Sequence, residues 1–362
     1  MSDQKMSLKK LADFVGSDYQ LLLVKLDELI EHKIIPPYQK IKQGVSWQNV
    51  YSKDELPLVL SKVGFLKKTK RPMAVTVFTT KGGVLKTTLG LNLARVAALH
   101  GLSVCVVGLD MQGDMTNALG AGINCDDQAQ EEMLAKGMNI NQLANKIDSN
   151  KGLYDYYKGD VKIDDIIQST DLENLFLIPE TPELVALNDH LGNLNRREYW
   201  LSEKIIRPLK THFDLIIMDC SPNWNRLTTN ALVGSDVLLS PLECKINNFR
   251  NYKVFSQFLR EFQRDMNLAL KTIFVPTRFV TNRRLGLEIK KWYEENVSGI
   301  TKFGVPECVL GEEASALNIS VLEHAPNKLQ AQEMRLLLTE IGSFLTDGLS
   351  LEISSTDQAQ WS

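Results

Sequence analysis

A chain of 362 residues exceeds one average domain, so a large core domain with a smaller module is expected. Hydrophobic residues make up 44% of the chain and charged residues 23%, with a formal net charge of -3, a balance that identifies no partner. The start of the chain lacks an apolar signal core and no run approaches the roughly 18 apolar residues of a membrane span, so we expect a cytoplasmic protein.

The first 72 residues are locally basic, with 13 Lys and Arg against 8 Asp and Glu. Residues 7–16, a Ser-Asp turn and residues 19–37 have the pattern of helix, turn and helix, and a capped helix start is predicted at residues 51–56. The run LKKTKRP, residues 66–72, is typical of a basic linker. The sequence therefore predicts a separate, mainly helical N-terminal module over residues 1–70.

After the linker, short apolar runs alternate with helical patterns, as in strands buried on both faces of a parallel sheet. Helices are predicted over residues 86–100 and 247–265, and strands over 73–79, 103–109, 175–178, 213–219, 236–241 and 272–276. The prediction is a doubly wound α/β domain over residues 71–348, followed by a tail over 349–362. Ligand chemistry is expected beyond the carboxyl ends of the strands.

The cysteines indicate a reducing compartment. They are odd in number and form no C-x-x-C pair: Cys105, Cys125, Cys220, Cys244 and Cys308. Cys105 and Cys220 lie in or beside apolar runs, which favours buried, inert thiols.

The segment FTTKGGVLKTTLGLNLA, residues 78–94, has the features of a phosphate-binding loop between a strand and a helix. Such a loop needs small residues for close backbone approach, a helix N-terminus facing the anion, a lysine for the outer phosphates and a hydroxyl for Mg²⁺. Lys86 and Thr87 supply the last two, but Leu85 replaces the glycine of the ordinary motif. Taken alone, the segment could also be a plain strand-to-helix turn.

An extra lysine, Lys81, precedes the glycine pair, and KGGVLKTT resembles the deviant Walker A motif K-G-G-x-x-K-[ST] of the ParA/MinD ATPases. The run VVGLDMQGDMT, residues 106–116, is similar to the family's Walker A′ segment, and residues 213–243 are similar to Walker B and the turn after it. Residues 275–286 and 321–341 resemble the closing strand, basic loop and terminal helix. The resemblance implies a P-loop NTPase fold over residues 73–345.

The resemblance also implies an ATPase that uses ATP and Mg²⁺ with weak basal turnover. Lys86 would contact the outer phosphates, Thr87 and Asp219 would hold Mg²⁺, and Asp110 would orient the attacking water. The implied catalytic residues are Lys81, Lys86 and Asp110, and Lys81 would reach the partner's nucleotide in a homodimer. The implied nucleotide-binding residues are Lys81, Gly82, Gly83, Val84, Leu85, Lys86, Thr87 and Thr88. Taken singly, either aspartate could instead be a strand-end cap or a solvated charge.

Within the family, several functions compete. A MinD-like positioning ATPase would carry a basic amphipathic helix at its end, whereas the last 18 residues contain no Lys or Arg, so no membrane partner is expected. A nitrogenase-reductase-like role would need cysteines that bridge a cluster, and inert thiols are the better interpretation of Cys125 and Cys220. The DNA-partitioning branch fits better, because cations gather where the resemblance places non-specific DNA contacts: Arg278, Arg283, Arg284, Lys290 and Lys291. For the two lysines a solvated helix face is an equal alternative.

The N-terminal segment resembles the winged, MerR-like helix-turn-helix of larger partition proteins that repress their own operon. Lys9 and Lys10 are its candidate DNA contacts, and a helical dimerisation module is the alternative. The resemblance thus implies a nucleoid-associated homodimer that binds DNA non-specifically, binds operator DNA through its N-terminal module and is stimulated by a ParB-type centromere-binding protein. A transcriptional regulator that uses ATP only as a conformational switch is the alternative from another class.

Overall fold

The structure is a computed structural model that describes residues 5–43, 46–120, 150–280 and 283–346. Cys125 and the predicted tail 349–362 lie outside these residues. None of the helices in the described part of the chain combines the length and apolar character that a bilayer span requires.

The N-terminal segment contains both helices and a small antiparallel sheet. In chain order it comprises β1 (Lys5–Ser7), α1 (Leu8–Val15), α2 (Tyr19–Glu31), β2 (Gln39–Gln43), β3 (Ser46–Ser52) and α3 (Leu56–Val63), with sheet order β1-β3-β2. Ser7 and Asp18 cap α1 and α2 through their side chains, as such residues do at helix N-termini. The predicted helix-turn-helix pattern agrees with α1 and α2.

Two details of this segment differ from the sequence expectation. Strands β2 and β3 pair antiparallel and are together named here the wing (residues 39–43 and 46–52), where the local pattern predicted a mainly helical module and the resemblance implied a winged one. Its alternation of Lys with apolar residues is too short to stand out from loop sequence. The predicted capped start at residues 51–56 is instead a turn in which the Glu55 carboxylate accepts from the Ser52 N–H and hydroxyl, both at 2.7 Å, and α3 begins at Leu56.

The larger part of the chain is built on a sheet with strand order β11-β10-β9-β4-β8-β5-β7-β6. Its pairs are parallel except for the antiparallel edge pair β6 and β7. The predicted doubly wound α/β fold is confirmed, and the strands are β4 (Met73–Val77), β5 (Val104–Leu109), β6 (Gln168–Ser169), β7 (Leu175–Ile178), β8 (Leu215–Cys220), β9 (Val237–Glu243), β10 (Lys271–Phe279) and β11 (Val305–Pro306). Residues on the central strands β4, β5, β8 and β9 are buried throughout, as expected for strands covered on both faces.

Helices cover both faces of this sheet. The α-helices of this part of the described chain are α4 (Lys86–Leu99), α5 (Asp114–Ala118), α6 (Leu153–Lys158), α7 (Leu184–Leu191), α8 (Arg207–Leu209), α9 (Arg226–Gly234), α10 (Asn248–Asp265), α11 (Arg284–Asn296), α12 (Leu310–Ala316), α13 (Val321–His324) and α14 (Leu329–Thr346). Helix α4 follows the phosphate loop and is buried around nearly its whole circumference. Its unusually apolar pattern reflects cover from the sheet on one side and from other helices on the other.

Part of the cover of α4 comes from the N-terminal segment. Leu11, Phe14 and Leu60 belong to the same apolar cluster as Leu93 and Val96 of α4. The ring of His100, at the end of α4, stacks on Phe14 and accepts the Phe65 N–H at 3.1 Å, and burial lowers its pKa to about 4. The boundary at residue 70 stays a prediction, but the two parts of the chain are in extensive contact.

A buried ion network adds a second link between them. The Arg95 side chain of α4 is fully buried and donates to Glu323 at 2.8 Å through two nitrogens and to Asp171 at 2.7 and 3.1 Å. Lys53, after the wing, ion-pairs with the same Asp171. The network joins the N-terminal segment, α4 and α13 through charge-assisted hydrogen bonds.

Candidate nucleotide-binding site

The loop between β4 and α4 has two residues in the left-handed backbone region. Gly83 has φ 67°, and Leu85, which precedes the first residue of α4, has φ 68° and ψ 32°. Glycine enters this region freely, whereas a residue with a Cβ is disfavoured there by about 1 kcal/mol or more. The half-buried Leu85 side chain packs against the core cluster, which offsets part of that strain. Leu85 therefore shares the left-handed conformation of the loop with Gly83.

Lys86 opens α4 with an almost buried ammonium group. Its residue is 7% exposed, and its Nζ donates to the Lys81 carbonyl at 3.3 Å, a long bond for such a donor. Burial lowers the pKa of Lys86, while Asp219 and Asp110 oppose that shift. A desolvated cation with donors to spare is suited to the oxygens of a phosphate chain, as predicted for Lys86.

Thr87 and Asp219 meet at the centre of the site. The Thr87 hydroxyl donates to Asp219 Oδ2 at 2.8 Å, and Asp219, near the end of β8, is fully buried. Burial is the main cause that raises the pKa of Asp219 to about 7. Its Oδ1 is buried and finds no hydrogen-bond partner among the described residues. An orphaned carboxylate oxygen beside a hydroxyl is the kind of donor set that Mg²⁺ takes together with phosphates and waters.

This donor set is sparse, as a magnesium site in an NTPase should be. Within the described residues, no group of three or more His, Cys, Asp or Glu side chains is placed to hold a metal by itself. Mg²⁺ is usually bound by one or two protein oxygens, with the nucleotide phosphates completing its octahedron. Thr87 and Asp219 fit that requirement.

Asp110 lies one residue beyond β5, at the same edge of the sheet. It is 8% exposed, its Oδ1 accepts the Gln112 N–H at 3.2 Å, and its carbonyl accepts the Gly113 N–H at 3.1 Å. The aspartate therefore caps its own turn, which was one predicted role, and also lines the cavity of the phosphate loop. That cavity has a volume of about 790 Å³, within the range of small-molecule sites.

Lys81 is engaged within its own chain. Its ammonium ion-pairs with Glu243, at the end of β9, and donates to Asn248 Oδ1 at 2.8 Å. Glu243 is buried, yet its pKa falls to about 2, because Lys245, Lys81 and Asn248 together outweigh the desolvation of the carboxylate. Arg278 adds a third cation 3.9 Å from Glu243.

Arg278 lies at the nucleotide site, whereas the sequence prediction placed it among the DNA contacts. Its guanidinium donates to the Gly83 carbonyl at 2.9 Å and to Glu307 at 2.7 Å, and it lines the same cavity. The apolar strand β10 ends at Phe279 and carries Arg278 to the carboxyl edge of the sheet. We therefore remove Arg278 from the candidate DNA surface.

Glu180 and Glu243 are carboxylates beside the site that sequence reasoning missed. Glu180 follows β7 by two residues and is buried, and burial, reinforced by Asp219 and Asp110, raises its pKa to about 8. Both carboxylates stand at or just beyond the carboxyl end of a predicted strand, which is the signal that had already marked Asp110 and Asp219.

The remaining predicted DNA contacts differ in exposure. Arg283 is exposed, and Arg284, the first residue of α11, has a side chain that is 92% exposed and paired with Glu288 at 3.1 Å. Lys9 is exposed, but Lys10 is half-buried, and burial lowers its pKa while Glu323 opposes the shift. Lys10 is therefore poorly placed for a phosphate backbone.

The part of the chain that carries the site is similar to known proteins. The family described as AAA domain (AAA_31) matches residues 73–272. The Chromosome-partitioning ATPase Soj of Treponema pallidum is 30% identical over 213 residues, covering 58% of this chain and 73% of that protein. This chain belongs to the ParA-type ATPases. The Sporulation initiation inhibitor protein Soj of Bacillus subtilis is 28% identical over 274 residues, covering 74% of this chain and 98% of that protein.

A solved structure extends the likeness to three dimensions. Cobyrinic acid a,c-diamide synthase from Mycobacterium smegmatis, with bound ATP analogue and magnesium, aligns with a TM-score of 0.54 and 22% identity over 71% of this chain and 94% of that one. At this identity the likeness establishes the fold alone, and that enzyme's different name shows that the fold does not choose the reaction. For this ParA-type chain, function has to be argued from its own residues.

Proposed function

We propose that this ParA-type ATPase is a DNA-partition protein that binds Mg·ATP, dimerises on it, binds DNA non-specifically in that state and is released by hydrolysis. The observation that carries the ATPase part is the meeting of Lys86, Thr87 and the orphaned carboxylate of Asp219 at one phosphate loop. The partition role is supported by the Soj relatives of this chain.

The residues divide the chemistry among them. Backbone N–H groups of residues 82–88 and Thr88 would hold the inner phosphates, and Lys86 the outer ones. Thr87 and Asp219 would hold Mg²⁺, which supplies charge neutralisation on the phosphates when bound. Asp110, at the cavity wall, would orient the attacking water. Because phosphoryl transfer depends on positioning and electrostatics, weak basal turnover is expected until dimerisation completes the site.

The contacts of Lys81 support two states of the site, one in the single chain and one in the dimer. In the single chain its ammonium is held by Glu243 and Asn248. For Lys81 to reach the partner's nucleotide, as proposed, dimerisation must replace this ion pair by contacts to phosphate. An exchange of one anionic partner for another has a small net free-energy change, which suits a reversible switch.

Non-specific DNA binding is assigned to the exposed pair Arg283 and Arg284 at the start of α11. Backbone binding requires clustered cations and no base contacts, and its affinity falls steeply with salt. Such binding would place the protein on the nucleoid in the cytoplasm, and a ParB-type centromere-binding protein would stimulate its release.

A second activity, operator binding by the N-terminal segment, is favoured by the wing. On one face of the wing Lys40 and Lys42 are exposed, Trp47 is 61% exposed, and the Lys40 ammonium lies 6.0 Å from the Trp47 ring centroid. Helix α2 is a poorer reader, because its exposed Lys25 is outnumbered by exposed Asp27, Glu28 and Glu31. We therefore assign operator contact and autorepression to the wing.

One experiment separates this proposal from a regulator that uses ATP only as a switch. ATP turnover is measured with no addition, with random duplex DNA, and with DNA plus the centromere-binding partner. A partition ATPase shows stimulated turnover and ATP-dependent binding to random DNA, both abolished when Arg283 and Arg284 are changed to alanine. The matched control changes another consecutive exposed pair, Arg196 and Arg197, outside α11. Binding of ATP without any turnover would favour the switch-only regulator.

A further inference from the structure

Glu180 is a buried acid at the nucleotide site to which the proposed reaction assigns no role. It is 8% exposed and lies just beyond β7, beside β5 at the edge that carries Asp110. A buried carboxyl group is costly to keep in a protein core unless it makes specific hydrogen bonds. Its partners therefore indicate what it does.

In the part of the chain that the structure describes, those partners belong to one residue, Thr116 of α5. Glu180 Oε2 accepts from the Thr116 N–H at 2.7 Å and from its hydroxyl at 2.6 Å, while the Glu180 N–H donates to the Thr116 hydroxyl oxygen at 2.8 Å. Thr116 ends the segment 106–116 that begins in β5 and contains Asp110. Glu180 thus fastens the far end of the loop that carries Asp110 to the neighbouring strand.

Room for Glu180 is provided by a glycine. A Cβ at Gly108, inside the buried strand β5, would lie 2.4 Å from Glu180 Cγ and 2.5 Å from its Cδ. Real Cβ contacts are never this short, so any other residue at position 108 displaces the glutamate. Glycine weakens a strand interior, and its presence here is explained by the close approach of Glu180.

The second oxygen of the carboxyl group faces away from Thr116. Glu180 Oε1 is buried and has no hydrogen-bond partner among the described residues. Burial, together with the charges of Asp219 and Asp110, raises the pKa of this group to about 8.

We propose that Glu180 is a positioning residue for ATP hydrolysis, which fixes Asp110 by clamping Thr116, and that Gly108 is required to admit it. The inference rests on the proposed ATPase function and deepens it. It concerns geometry: the Glu180 side chain holds the loop in register through Thr116, and the attacking water is oriented by Asp110.

The test is a mutant cycle in the full chain, comprising Glu180→Ala, Gly108→Ala and the double variant. Each single change is expected to lower kcat about tenfold to a hundredfold with KM for ATP changed less than threefold, since small misplacements of a catalytic group have effects of that size. In the double variant the added methyl group has no glutamate to displace, so Gly108→Ala should have no further effect. Glu183→Ala, an exposed acid of the same segment that forms no helix-cap hydrogen bond, is the matched control.

Two further measurements distinguish the role of Glu180 from misfolding of the variants and from a failure of the proposed function. Glu180→Gln keeps the acceptor for both Thr116 donors and should retain wild-type kcat within about threefold. Hydrogen exchange of the peptide covering residues 110–118 should accelerate at least about tenfold in Glu180→Ala and Gly108→Ala, whether or not ATP is turned over. Wild-type protein without turnover would defeat the proposed function alone. Unchanged exchange, additive effects in the cycle, or loss of activity in Glu180→Gln would overturn the role of Glu180.

Discussion

The phosphate loop and the N-terminal wing are both candidate binding sites, yet they are built in opposite ways. At the phosphate loop the functional groups are buried, and one of them, Asp219 Oδ1, has no partner among the described residues. On the wing, Lys40 and Lys42 are exposed and differ from ordinary solvated lysines only by their neighbour Trp47. A buried polar group needs an explanation, whereas an exposed one needs none. The phosphate loop is therefore much stronger evidence for a binding function than the wing.

The largest expected effect is at the phosphate loop. Lys86→Ala removes the buried cation that faces the phosphates, and we expect nucleotide affinity to fall by a hundredfold or more. Asp110→Ala should keep binding near the wild-type level and lower turnover by a similar factor, because its proposed task concerns water alone. Equilibrium binding of a fluorescent ATP analogue and a phosphate-release assay separate the two outcomes. Equal loss of binding in both variants would show that Asp110 holds nucleotide.

The junction between the two regions is tested next, through Arg95. Arg95→Met removes one side of a buried ion network and leaves the buried Glu323 carboxylate without a cationic partner, so the free energy of unfolding should fall by about 3–5 kcal/mol. Lys53→Ala removes a partly exposed partner of the same network and should lower it by less than about 1 kcal/mol. Urea unfolding at pH 7 measures both. Similar small losses would mean that the network contributes little.

Glu180 gives a pH-dependent effect. Its pKa is about 8 in the folded protein, above the ordinary value of a glutamate in the unfolded chain, so between about pH 4.3 and 8 the folded state holds a proton that the unfolded state has released. Wild-type stability is therefore reduced as pH rises through that window. Glu180→Gln lacks this pH-dependent loss. Its free energy of unfolding should therefore gain on the order of 3 kcal/mol relative to wild type between pH 5 and pH 8.5. A constant difference across that range would place the pKa of Glu180 near its ordinary value.

The wing is tested by salt dependence. Replacing Lys40 and Lys42 by alanine should weaken operator binding roughly tenfold and flatten the dependence of log affinity on log salt by about one unit for each phosphate that is no longer neutralised. Binding to random DNA in the presence of ATP should be unaffected, since it is assigned to Arg283 and Arg284. Fluorescence anisotropy with operator and random duplexes over a salt series supplies both slopes. Equal losses on the two duplexes would place wing and α11 in one non-specific surface.

The smallest effect is expected at Leu85. Leu85→Gly relieves the left-handed strain but loses side-chain burial and adds freedom to the unfolded chain, so unfolding free energy and nucleotide affinity should change by less than about 1 kcal/mol. Leu85→Ile puts a β-branched side chain at φ 68° and should reduce both by more. Thermal unfolding and analogue binding are sufficient measurements. A large gain in affinity for Leu85→Gly would show that the leucine impairs the loop.

The contrast between the buried phosphate loop and the exposed wing also explains which parts of the fold the sequence could predict. Buried parallel strands have apolar runs with turn residues at their ends, so β7 was predicted to the residue and β4, β5 and β8 to within two. The local pattern did not predict the strands of the wing, because short polar strands of five and seven residues lack such a pattern, and only the resemblance to a winged module implied them. Partners distant in sequence, such as Gly108 with Glu180 or Arg278 with Gly83, follow from tertiary packing and leave no local signal.

Helix α4 limits how this protein could have gained or can lose its N-terminal segment. An outer helix of an α/β domain normally turns a polar side to water, but α4 is apolar on the side that the N-terminal segment covers. A gene fusion that added residues 5–64 would have required matching apolar substitutions along α4. The N-terminal segment is therefore not a module that can be exchanged independently of the ATPase part. Cutting the chain at residue 70 should expose that side and produce an aggregation-prone core. Point substitutions, not truncations, are the appropriate way to separate the activities of the two parts.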